Sequence, residues 1–121
     1  MSQQFSIIRI NTVAKYDRHD AIDDAKSVIV SSGGWSTDFR MFSNNSICLQ
    51  FEIEPTDAVH LYPSILQTRL ILMDESREAL EELSKFLQTG HPGMNRDIRG
   101  TLQVTFIHDE PDLIIEVPLE L

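Results

Sequence analysis

From Gly33 to Glu54 the chain alternates apolar and polar side chains almost without a break, and this period of two constrains the fold more than any other feature. Trp35, Thr37, Phe39 and Met41 are expected on one face of a strand, with Ser36, Asp38 and Arg40 on the other. Ile47, Leu49, Phe51 and Ile53 then oppose Ser46, Cys48, Gln50 and Glu52 on a second strand. For both strands to bury the same side as a hairpin, odd positions must pair with odd ones. The connection therefore has an odd number of residues, or a bulge absorbs one. A two-residue Asn44-Asn45 turn fails this parity test.

Around this hairpin the pattern switches period. Phe5 to Val13 is rich in β-branched residues and reads as a first strand, its isoleucines at 7, 8 and 10 pointing to burial on both faces. Ile22, Ala25, Val28 and Ile29 recur at helical spacing, with Asp17 as N-cap and Gly33 and Gly34 ending the helix near Ser32. Leu61, Tyr62, Ile65 and Leu66 predict a helix with Pro63 in its first turn, where a missing N–H is no loss. The LILM stretch at 70–73 reads as a short extended link. Ala79, Leu80, Leu83, Phe86 and Leu87 form the clearest helical stripe, closed by Gly90. Leu102, Val104 and Phe106 face one way, as do Leu113, Ile115, Val117 and Leu119; even now pairs with odd, so a four-residue turn over Asp109–Asp112 is expected, with Pro118 marking an edge.

These elements predict one α+β domain over residues 1–121: a two-layer sandwich, its antiparallel-rich sheet covered by helices on one face, in a ferredoxin-like order, βαββα(α)ββ. Small regulatory domains of the ACT type are similar in element order, but no residue motif of theirs is present, and an order of elements does not assign a function.

Composition narrows the function classes. The chain has 121 residues, 41% hydrophobic and 24% charged, a balance that suits a packed core. A net charge of −9 with no run of Lys or Arg disfavours nucleic acid and anionic membranes. One cysteine excludes an internal disulfide, and no basic-then-apolar leader or long apolar run is seen, so a cytoplasmic setting is expected. Neither a cofactor nor a metal is expected: the four histidines lack ligand spacing, and GxSxG, GxGxxG and Walker-type glycine loops are absent. Cys48 reads as a small strand residue.

Two features point outward. Gly90 to Gly100 is the one locally cationic connection, in which His91, Arg96 and Arg99 form a candidate site for a small anionic ligand. The sheet face away from the helices is expected to present Ile8, Ile10, Phe42, Ile107 and Ile114 beside Asp38, Arg40 and Glu52, an apolar patch suited to a homodimer or another protein partner. The leading expectation is a non-enzymatic, homo-oligomerising interaction module; the alternative is a domain sensing an anionic metabolite.

Overall fold

The computed structural model describes residues 7–42, 45–88 and 97–107. The element order is β1 (Ile7–Ala14), α1 (Arg18–Ser31), β2 (Trp35–Met41), β3 (Ser46–Ile53), α2 (Pro55–Ala58), α3 (Leu61–Leu66), β4 (Ile71–Leu72), α4 (Asp74–Gln88) and β5 (Ile98–Phe106). Five strands form an open sheet in the order β2-β3-β5-β1-β4. Among the described residues only the β1–β5 pairing is parallel; β2–β3, β3–β5 and β1–β4 are antiparallel. β5, the last strand of the βαββαβ plan, takes the centre of the sheet between β3 and β1, and the short β4 takes the edge beside β1.

Local chemistry sets the element ends. The Asp17 side chain accepts the Asp20 amide at 3.1 Å and caps α1. Gly33 closes that helix with φ +96°, in the left-handed region. Pro55 opens α2, and Pro63 lies within the first turn of α3, where no intrahelical N–H is required of it.

One core holds these elements together. Ile8, Ile10, Thr12 and Ala14 of β1 point into it with Leu49, Phe51, Leu102 and Val104, and Ala25, Val28, Ile29, Ile65, Leu80 and Leu83 meet them from the helices. Strand β1 is interior, but its burial alternates, and Ile7 is half exposed. The expectation of burial on both faces is therefore corrected: among the described residues helices cover one side only. Ile8 and Ile10, expected on the open face, are core residues, with Ile10 0% exposed. Ile98–Gly100, expected in a loop, begins β5. The LILM link carries β4, which pairs Ile71 and Leu72 with Val13 and Thr12. The turn expected over Asp109–Asp112, the strand from Leu113 and the helix stop at Gly90 lie outside the described residues.

The hairpin obeys the parity argument at its tip. Met41 pairs with Ile47 and Phe39 with Leu49, odd with odd. Between Ser36 and Asp38 the register shifts, so Ser36 faces Phe51 and Trp35 faces Glu52. This bulge at Thr37 reverses the strand's facing: Trp35 shares a side with Glu52, while Phe39 and Met41 share the core side with Leu49 and Ile47. The single apolar face expected for Trp35, Thr37, Phe39 and Met41 is thereby split.

Candidate functional site: the open sheet face and its β2 margin

Cross-strand register lays out the uncovered face row by row. One row runs Trp35, Glu52, Arg99, Ile7; the next Asp38, Gln50, Thr101, Arg9; the third Arg40, Cys48, Gln103, Asn11. The middle of this face is polar because its β3, β5 and β1 positions carry amide, hydroxyl, thiol and guanidinium groups. Apolar side chains gather at the perimeter, where Ile7, Trp35, Phe42, Ile71 and Ile107 are exposed.

The residues expected there divide accordingly. Asp38, Arg40 and Glu52 fall on the open face by register, and Phe42 and Ile107 are exposed. Ile8 and Ile10 are not available to it, for the reason given above. Ile114 lies outside the described residues, as do His91 and Arg96 of the candidate anion site. Arg99 is on β5 and exposed, beside a cavity of about 170 Å³ that Ile7, Thr37, Gln50 and Thr101 also line. A broader cleft of about 670 Å³ lies between the far end of the same face and the start of α4, where Asp74 and Glu75 set a negative rim.

The β2 margin has the most distinctive geometry. Among the seven residues of β2, six are exposed and Asp38 is half-buried; Trp35 exposes 42%, Phe39 39% and Met41 52%. The Phe42 amide donates to Ser46 O, which turns Phe42 and Arg40 toward β3 and leaves the backbone groups of Phe39 and Met41 pointing outward. A local side chain meets one of those groups: Asp38 Oδ1 accepts the Phe39 amide at 2.9 Å, while Asp38 Oδ2 accepts from Arg40 Nε at 3.0 Å. The Arg40 hydrogen bond foremost, and the Phe39 amide second, hold the Asp38 carboxyl below its usual range. On the helix side, Lys26 Nζ sits 5.3 Å from the Phe39 ring centroid.

Nucleophilic chemistry finds little footing. Partial burial pushes the Cys48 thiol up, with the Arg40 charge opposing, so thiolate is scarce at neutral pH. Among the described residues no three His, Cys, Asp or Glu side chains gather to hold a metal ion, and no helix is long and apolar enough to cross a membrane. Sequence reasoning missed the Thr37 bulge and the Asp38 link to Phe39. The available signal was Thr37 itself, the one polar residue in an otherwise apolar column. No protein-family model matches the chain, and comparison with curated proteins and with solved structures gives no match.

Proposed function

We propose that the chain is a non-enzymatic, self-associating interaction domain of the cytoplasm, an elaborated ferredoxin-like arrangement in which β1–α1–β2 is a split β-α-β unit. The observation that carries this reading is β2: a seven-residue edge strand, almost wholly exposed, with apolar Trp35, Phe39 and Met41 along it. An edge strand offers unpaired N–H and C=O groups, and apolar side chains beside them add area to any strand that docks there. Ile8 and Ile10 no longer support face-to-face docking across the middle of the sheet, so the β2 margin is the better surface. Sedimentation equilibrium over a concentration series tests the reading. Reversible growth toward twice the single-chain mass is expected, and a single-chain mass at every concentration up to several hundred micromolar rejects it.

One observation favours a second reading, the sensing of a small anionic metabolite. Arg99 stands at a cavity whose other polar lining, Thr37, Gln50 and Thr101, consists of neutral hydrogen-bonding groups. Inorganic phosphate and small dicarboxylates should then raise the melting temperature of the protein but not of Arg99→Ala. Equal shifts in both, or none in either, reject this reading.

A further inference from the structure

We infer that the occupant of the β2 edge is the β2 strand of a second copy, paired antiparallel about a two-fold axis at Phe39; this rests on the self-association proposed above. The argument is one of charge and direction. Asp38 and Arg40 sit one residue either side of Phe39, on the same face of the strand, with opposite charges. In an antiparallel pairing centred on Phe39, residue 38 of each copy lies opposite residue 40 of the other. Asp38 then faces the partner's Arg40, and Arg40 faces the partner's Asp38, on the open face of the joined sheet. Neighbouring registers lose this match: an axis at Arg40 sets like charge on like charge, and one at Met41 places Arg40 against the partner's Phe42.

Backbone direction selects the same axis. Phe39 points its amide and carbonyl outward, so the two Phe39 residues can form a hydrogen-bonded pair, exchanging both N–H···O bonds. The 38–40 positions then form the closer, non-hydrogen-bonded pairs, where cross-strand side chains interact most strongly. The Asp38 carboxylate now holds the Phe39 amide at 2.9 Å. On pairing, the partner's Phe39 carbonyl replaces it, and the freed carboxylate turns to the partner's Arg40. On the core side the exposed Phe39 of each copy covers the other, and Met41 lies diagonal to the partner's Phe39. The bulge at Thr37 bends the strand away beyond this centre and keeps the ladder short.

Charge reversal reads the register directly. Asp38→Arg puts only positive charge at positions 38 and 40, and Arg40→Asp only negative, so each variant alone should self-associate at least about tenfold more weakly than the parent protein. Mixed in equal amounts, the two become complementary at both contacts and should form a heterodimer of parental affinity. The double variant Asp38→Arg/Arg40→Asp should homodimerise again. Each variant's circular dichroism and thermal melting provide the folding check. If the parent protein associates but either single variant does so equally well, or if the mixture gains nothing, the register is wrong while self-association stands. If the parent protein never associates, both fall.

Discussion

Phe51 lies directly across β3–β5 from Gly100, and its ring fills the space that a side chain at 100 would take. A Cβ built on Gly100 would come within 2.5 Å of Phe51 Cζ, 2.8 Å of Ile8 Cγ2 and 2.9 Å of Ile8 O. The last neighbour is backbone and cannot step aside. Gly100→Ala is therefore expected to destabilise the protein by about 1–3 kcal/mol, the usual cost of overpacking, despite the gain in strand propensity. Denaturant unfolding measures this. Adding Phe51→Leu should cost less in the alanine background than in the parent, because the shorter side chain relieves the clash; additive costs would contradict the contact.

Ser76, in the first turns of α4, is buried at 3% exposure and accepts the Asn11 amide at 2.8 Å. β4 is too short to reach that amide, since its pairing covers only Thr12 and Val13. Ser76 thus stands in for a strand residue at the edge of β1 and ties α4 to the sheet. Ser76→Ala leaves the amide without its acceptor and should cost about 1 kcal/mol. Hydrogen exchange at Asn11 should speed up selectively, while the Leu102 amide, in mid-sheet, should change only with global stability.

How far these contacts could be read from the residues depends on their range. Asp17 and Gly33 marked the ends of α1 because capping and left-handed turns are local, and the odd-with-odd pairing seen in Met41 opposite Ile47 followed from parity. Ile7, Ile8 and Ile10 misled, since a cluster of isoleucines cannot say which of its members faces helices; β5 and the helices decide that from far along the chain. Gly100 read as a loop residue because glycine breaks strands in isolation. The Phe51 ring on one side and Ile8 on the other explain why glycine sits within β5. At the candidate site Asp38, Arg40 and Glu52 were readable as polar-face residues, whereas the inserted Thr37 shifts facing without interrupting the alternation.

The Tyr16 hydroxyl donates to Asp24 Oδ2 at 2.6 Å, and Arg69 lies 4.1 Å above the same ring while reaching Asp20 at 3.8 Å. Burial first, and then the Asp24 carboxylate, push the Tyr16 phenol well above its ordinary range. The folded protein therefore holds this proton more tightly than the unfolded chain. The resulting stability is complete below the unfolded pKa of about 10 and is lost as pH rises above it toward the folded value. Tyr16→Phe should cost about 1 kcal/mol at neutral pH. Between pH 9 and 11 the parent protein should lose stability faster than the variant. Parallel stability–pH curves for the two proteins would exclude Tyr16 as the group responsible.

Asp38 titrates in the opposite sense. Its carboxyl is lowered first by the Arg40 hydrogen bond and then by the Phe39 amide, so the folded state favours the ionised form. Such a group adds stability above the unfolded carboxyl pKa of about 4 and loses it as pH falls through the lower folded value. The Arg40 side chain is 63% exposed and that of Asp38 40%, so salt should weaken the Arg40 contribution, whereas the amide bond, being short and local, should resist screening. Carboxyl-carbon NMR titration of Asp38 at low protein concentration separates the two causes. In Arg40→Gln the midpoint should rise toward, but not reach, the ordinary aspartate value, the remainder reporting the Phe39 amide. High salt should raise the midpoint in the parent protein and leave the variant nearly still. A midpoint unmoved by Arg40→Gln would remove Arg40 as the main cause of the lowered carboxyl.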